Sequence, residues 1–113
     1  MIDGWITQLR KGLLEYCVLT VLARGESYGY EIVQALKEVD ELAVSESTIY
    51  PILARLRDEK FLKVRDVPSD AGPPRRYFAL TALGKVRLAE MNTYWSLLGD
   101  ALAQLKQSPR KEN

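Results

Sequence analysis

The stretch SESTIYPILARLRDEK, Ser45 to Lys60, decides the fold of this chain, together with the segment Pro73-Pro74-Arg75-Arg76-Tyr77 that follows it. At about 100° per residue, the apolar side chains of the first stretch share one arc of about 100°, which predicts an amphipathic helix. That core-facing stripe consists of Ile49, Ile52, Leu53 and Leu56. The first two turns of the opposite face are mostly small, hydroxylated or aromatic. A helix of this kind followed by a basic hairpin is typical of winged helix-turn-helix proteins that read duplex DNA.

Two further helices are predicted before Ser45, which is itself a favourable N-cap residue. The first runs from about Trp5 to Arg24 and is apolar on two sides, so we expect it to be buried on two sides. Gly25 is a favourable residue just past a helix end. Ser27 then predicts the N-cap of a second helix, Tyr28 to about Val39.

Beyond Lys60, the pattern changes to two short strands and one long helix. Alternating residues predict strands at Phe61–Val67 and Arg75–Leu80, joined by a loop rich in proline. Thr81 predicts the cap of a last helix that continues to about Gln107. The expected fold is mainly α-helical with a small β-hairpin, an α+β class. We expect a winged helix-turn-helix domain at residues 1–80, a dimerisation helix at 81–107 and a disordered tail at 108–113.

Composition limits the classes of function that fit the chain. Its 113 residues include a single cysteine, Cys17, and no histidine. An internal disulfide is therefore excluded, and the commonest general base and zinc ligand are missing. We also find no carboxylate cluster, nucleophile–base pair or phosphate-binding glycine loop, so we predict no enzyme, metal site or cofactor. Without a signal peptide or a membrane-spanning run, the chain is expected to be cytoplasmic.

Charge leaves two classes of binding protein open. The formal net charge of +1 is weaker than a DNA-binding protein usually carries. The segment from Lys60 to Arg76, however, contains five basic residues and only two acidic ones. We therefore favour DNA binding, and keep as the alternative a winged-helix module that binds other proteins. Cys17 is expected to serve packing, with redox sensing as its alternative role.

The last helix carries a heptad pattern that predicts a homodimer. Its apolar residues are spaced 3, 4, 3, 4 and 3 apart, as in a coiled-coil seam. Nothing else in so short a chain is available to cover a seam of this length, so a second subunit is the expected cover. The expected interface residues are Leu88, Met91, Trp95, Leu98, Leu102 and Leu105.

Three ordered motifs resemble the PadR family of bacterial transcriptional regulators. They are Tyr28-Gly29-Tyr30-Glu31-Ile32, the segment Ser47–Leu56 and the segment Gly72–Thr81, with a similar opening at Lys11–Glu15. The resemblance implies a homodimeric repressor on a pseudo-palindromic operator, released from DNA by a small, often aromatic effector. The chain length fits a subgroup with a single C-terminal helix. A tryptophan on that helix lines a cavity at the dimer interface in some members, and Trp95 occupies the comparable place.

The same resemblance implies a set of residues that contact DNA. Residues of the helix that follows Ser45, the recognition helix, face the major groove or the phosphates that flank it. Residues that open the second helix meet a phosphate. The arginines of the hairpin contact the DNA backbone or the minor groove. The implied DNA-binding residues are Ser47, Thr48, Tyr50, Pro51, Arg55, Tyr28, Gly29, Arg75, Arg76 and, more weakly, Lys11. Trp95 is the expected contact for a planar aromatic effector, and plain interface packing is its alternative role.

Overall fold

The computed structural model describes residues 4–107, which form five helices, one 3-10 turn and a three-stranded antiparallel sheet. This architecture confirms the predicted winged fold with a long C-terminal helix. In chain order the elements are α1 (Gly4–Lys11), α2 (Leu14–Leu22), β1 (Ser27–Tyr28), α3 (Gly29–Lys37), the 3-10 turn (Asp40–Leu42), α4 (Glu46–Asp58), β2 (Leu62–Val67), β3 (Arg75–Leu80) and α5 (Ala82–Gln107).

The predicted helix from Trp5 to Arg24 is in fact two helices, so that prediction was wrong. Its interruption falls at Gly12, a residue that disfavours helix interiors. There the Leu13 N–H donates to the Arg10 carbonyl at 2.9 Å, as in a tight turn. The helix then restarts, with the Cys17 N–H bonded to the Leu13 carbonyl at 2.9 Å. Of the two, only α2 contributes buried residues, and α1 has none.

The predicted N-cap at Ser27 was also wrong, because Ser27 and Tyr28 form the short strand β1. They pair with Phe78 and Tyr77 of β3, which lies between β1 and β2 in the sheet. Tyr28 caps α3 instead, and its backbone N–H donates to Glu31 Oε1 at 3.0 Å. A two-residue strand is too short to show a periodic pattern in the sequence. It forms because the edge of β3 that faces away from β2 is free to pair with it.

The hydrophobic core lies between α2, α3, α4 and the inner face of the sheet. The predicted stripe of α4 faces it: Ile49, Leu53 and Leu56 are fully buried, and Ile52 lies half-buried at the edge. Pro51 lies inside α4 without ending it, because it falls in the second turn, close to N–H groups that lack helical partners. The other main core residues are Val18, Leu19, Ile32, Val33, Phe61, Leu62 and Phe78.

Helix α5 packs on this core with its first half only. The predicted cap is confirmed, since the Gly84 N–H donates to Thr81 Oγ1 at 3.0 Å. Leu88 is buried against the chain's own core and Met91 packs beside it, so the seam expected at a dimer interface is internal at its start. Further along, Leu102 and Leu105 are 47% and 77% exposed. The predicted tail at 108–113 lies outside the described residues.

Across residues 4–107, no helix combines the length and the apolar character needed to cross a membrane.

Candidate nucleic-acid interface

A groove of about 480 Å³ opens between helix α4, the start of α3 and the wing. Here the wing means the β2–β3 hairpin. The groove brings together five residues that the sequence predicted as DNA contacts, from three segments far apart in the chain. Its lining residues are Tyr28, Gly29, Tyr50, Ala54, Arg57, Pro74, Arg75, Arg76 and Phe78.

The floor of the groove is the contact between Tyr50 and Gly29. A Cβ atom at Gly29 would lie 2.9 Å from both Cζ and the hydroxyl oxygen of Tyr50, closer than side chains allow. Glycine at this helix start therefore lets the Tyr50 ring pack directly against the start of α3. Burial, and then the nearby Glu46 carboxylate, raise the pKa of Tyr50, so its hydroxyl remains a neutral donor and acceptor at neutral pH.

The two wing arginines reach the groove through different contacts. The Arg75 guanidinium lies 4.9 Å from the centroid of the Tyr28 ring, a cation–π distance, and Tyr28 in turn meets Tyr77 edge-on at 5.4 Å. Arg76 Nε lies 3.2 Å from the carboxylate of Asp66 on the neighbouring strand. Both arginines are exposed. Cations held in this way present their remaining N–H groups to solvent, where a phosphate could accept them.

Arg55, which was expected at the DNA, does not line this groove. Its Nη1 atom pairs with Glu15 at 3.0 Å and with Glu59 at 2.9 Å. Hydrogen bonds to Glu59 and Glu15 raise the pKa of Arg55, in keeping with this engagement. These two carboxylates, of which Glu15 belongs to α2, explain why the Arg55 side chain lies toward α2 and away from the groove.

Arg57 lines the groove in its place and was missed by the sequence reasoning. Tyr50, Ala54 and Arg57 are spaced by four and three residues, so they share one face of α4. That spacing could have identified Arg57 from the sequence alone. Its Nε and Nη2 atoms lie 3.2 and 3.1 Å from one oxygen of the exposed Asp58 carboxylate.

The remaining predicted contacts lie outside the groove. Ser47 and Thr48 are exposed in the first turn of α4, and their hydroxyls lie 2.9 and 3.1 Å from Ser45 Oγ. Pro51 is exposed on the same helix. Lys11 is exposed at the end of α1.

A second cavity, of about 330 Å³, lies beside Trp95 between α2, α3 and α5. Its walls are mainly apolar. The Tyr16 ring stands 6.0 Å from the Trp95 ring, and the Tyr16 hydroxyl lies 2.5 Å from Asn92 Oδ1. Cys17 also lines this cavity, and burial raises the pKa of its thiol. Part of the Trp95 ring is therefore covered from within the same subunit.

Comparison with known proteins identifies the family. The model of the transcriptional regulator PadR-like family matches residues 18–90. The chain belongs to the PadR-like family. This family is one of transcriptional regulators, not of enzymes. The match runs from the second half of α2 to the first half of α5, so it includes the whole groove.

Solved PadR-like structures resemble the chain over most of its length. A PadR-like transcription factor from Bacteroides fragilis is 39% identical, with a TM-score of 0.78 over 91% of this chain and 99% of that one. A Bacillus cereus PadR-like regulator is 34% identical, with a TM-score of 0.77 over 90% and 99%. Bacillus subtilis PadR in complex with operator DNA is 27% identical, with a TM-score of 0.66 over 89% and 51%.

In sequence, the negative transcriptional regulator PadR of Bacillus subtilis is 35% identical over 80 residues, which are 67% of this chain and 43% of that protein. This PadR-like chain thus spans about half the length of that relative, while it spans nearly all of the two shorter structures.

Proposed function

We propose that this PadR-like protein binds duplex DNA in a sequence-specific manner, with α4 in the major groove and the wing on the flanking backbone. The observation that carries the proposal is the groove itself, which joins one face of α4 to Arg57, Arg75 and Arg76. A helix about 10–12 Å wide fits the B-DNA major groove, which is about 12 Å wide. The existence of an operator complex of Bacillus subtilis PadR supports the proposal.

Within this scheme the groove residues have separate roles. Tyr50, held against Gly29, offers a hydroxyl and a ring edge to bases or sugars. The three arginines meet phosphates, where guanidinium groups bind through paired N–H donors. The small side chain of Ala54 lets the helix approach closely.

Arg57 and Arg55 form a matched pair for testing the interface. Both are arginines of α4, but only Arg57 lines the groove. On a random-sequence duplex, Arg57→Ala should weaken binding and reduce the salt slope by about one unit, as expected for the loss of one phosphate contact. Arg55→Ala should leave the salt slope unchanged. Equal slopes for the two variants would contradict this interface.

The alternative function is a module that binds other proteins, which the net charge of +1 supports. This alternative would be favoured if the unmodified protein showed no binding to DNA that depends on salt concentration.

We further propose a homodimer formed through α5 with help from α1. Leu102 and Leu105 are exposed on α5, and α1 leaves Trp5 and Leu9 exposed at 67% and 62%. Apolar residues left uncovered on two helices are typical of a subunit interface. Two copies would present their α4 helices to half-sites of a pseudo-palindrome about 34 Å apart.

Added charge on α5 tests the dimer. Replacing Leu98 and Leu102 by Glu should give a monomer in sedimentation velocity, because buried carboxylates lack partners there. Gln104→Glu with Gln107→Glu adds the same charge to the same helix outside the seam and should remain dimeric. A dimer that survives the Leu98 and Leu102 changes would exclude the seam as the interface.

Finally, we propose that the protein is a repressor, working in the cytoplasm and released from DNA by a planar aromatic effector near Trp95. The name of the Bacillus subtilis relative, a negative regulator, supports repression. The cavity beside Trp95 supports an effector site, since its apolar walls and Tyr16 suit a flat ring. In a Trp5→Phe background, aromatic compounds should quench tryptophan fluorescence saturably. Because Trp5→Phe leaves Trp95 as the only tryptophan of the chain, the Trp95→Ala variant is titrated by calorimetry, and binding that it retains would leave Trp95 as interface packing.

A further inference from the structure

The end of α4 and the start of α5 are fastened to each other by backbone contacts. Helix α4 ends at Asp58, Lys60 just beyond it has a left-handed φ of 72°, and the Phe61 N–H returns to the Leu56 carbonyl at 2.9 Å. Thr81 then binds this turn twice. Its N–H donates to the Phe61 carbonyl at 3.1 Å, and its hydroxyl donates to the Lys60 carbonyl at 2.6 Å.

Gly84 brings the first turn of α5 into direct contact with that carbonyl. A Cβ atom at Gly84 would lie well inside 3.0 Å of the Phe61 carbonyl oxygen and 3.1 Å from the Phe61 carbonyl carbon. Because the obstacle is backbone, no side chain can rotate away to make room. Gly99, in the same helix, has nothing within 4 Å of the corresponding position.

Arg87 adds a side-chain link one turn later. Its guanidinium lies 4.3 Å from the centroid of the Phe61 ring. Its Nη1 atom is 3.5 Å from Glu15, and the other oxygen of Glu15 pairs with Arg55 of α4 at 3.0 Å. The side chain of Glu15 is 18% exposed, so this bridge from α5 through α2 to α4 is partly shielded from solvent.

We propose that this joint, made of Lys60, Phe61, Thr81, Gly84 and Arg87, transmits the orientation of α5 to the recognition helix. Gly84 and Arg87 are then positioning residues for DNA recognition although neither touches DNA. The inference rests on the proposed function, in which α5 holds the dimer and α4 reads a half-site. A tilt of about 10° at the joint moves a point 20 Å away by roughly 3.5 Å, about one base-pair step.

The glycine pair in α5 provides the test, because Gly84→Ala and Gly99→Ala are the same chemical change in opposite surroundings. The duplexes are the inverted repeat that the unmodified protein selects from a random pool, and versions with one base pair added or removed at its centre. Gly84→Ala should bind the selected repeat about fivefold or more weakly and change the order of preference among the three spacings. Its affinity for random duplex should stay within about twofold, and its sedimentation should stay dimeric. Gly99→Ala should match the unmodified protein throughout.

A DNA-free measurement separates failure of the joint from failure of the proposed function. With Cys17→Ser and a spin label at Ser47→Cys, electron–electron double resonance reports the distance between the two α4 helices of a dimer. Gly84→Ala should shift this distance and Gly99→Ala should not. If the unmodified protein binds no duplex, the DNA proposal is refuted. The distance between the two spin labels still shows whether the joint sets the position of α4. If Gly84→Ala does not fold, Arg87→Met takes its place, with Arg87→Lys as the variant that retains the charge. Unchanged spacing preference and distance in the folded variant would overturn the inference.

Discussion

The packing of Tyr50 on Gly29 leads to a quantitative prediction for Gly29→Ala. The added methyl group requires space now filled by the ring, so Tyr50 must leave its place. Tyr50 is 43% exposed, so roughly half of its surface is buried in the groove. For a side chain of about 200 Å², losing that buried half, about 100 Å², costs about 2.5 kcal/mol at 25 cal/mol per Å². Alanine recovers up to about 1 kcal/mol as a better helix former. The free energy of unfolding should therefore fall by about 1.5–2.5 kcal/mol.

A double-mutant cycle in urea unfolding tests this reasoning. In a Tyr50→Ala background the obstacle is gone, so Gly29→Ala should be neutral or stabilising by up to about 1 kcal/mol. The helix-propensity gain is common to both backgrounds, so the coupling between the two positions should be about 2.5 kcal/mol. An equal loss in both backgrounds would show that the methyl group meets something other than Tyr50, and the account of the groove floor would be refuted.

Three other outcomes follow from local contacts. Lys60→Gly should raise the free energy of unfolding by about 1 kcal/mol, because residue 60 has a left-handed φ of 72°; Lys60→Ala, measured by the same thermal unfolding, should give no such gain. Arg75→Ala should lower the salt slope of DNA binding by about 0.9. Arg65→Ala should not, because the Arg65 guanidinium pairs with Glu26 at 2.5 Å. Equal slopes for the two variants would show that Arg75 does not contact the DNA backbone. Burial raises the pKa of the Cys17 thiol and lowers its reactive thiolate fraction, so at pH 8 a thiol reagent should react more slowly with folded protein than in urea; equal rates would mean that Cys17 is open to solvent.

The parts of the fold that repeat with a period could be read from the sequence. Helix α4 has an apolar residue every three or four positions, and three of its four predicted core residues are buried. The wing and α5 were predicted within a residue or two at each end for the same reason. The break at Gly12 and the strand at Ser27 could not be read in this way. Each depends on one or two residues and on what they meet in the folded chain.

Side-chain direction was the harder part of the candidate site. The helical spacing places Arg57 on the face of α4 that carries Tyr50, but it does not exclude Arg55, which two carboxylates hold away from the groove. Glu15 is 40 residues away in the sequence, so no local pattern reveals this pairing. Likewise, the heptad pattern of α5 does not show that Leu88 packs on its own domain, because a seam toward a partner and a stripe toward the core have the same spacing.

Backbone amide NMR shifts during titration with duplex DNA test the central claim most directly. At low salt, the account predicts that the largest changes fall on the groove, at Gly29, Tyr50, Arg57, Arg75 and Arg76, and diminish as salt is added. The amide chemical shifts of the second half of α5 should not change. Shifts confined to α5, or no shifts at any salt concentration, would contradict the assignment of this groove as a DNA interface.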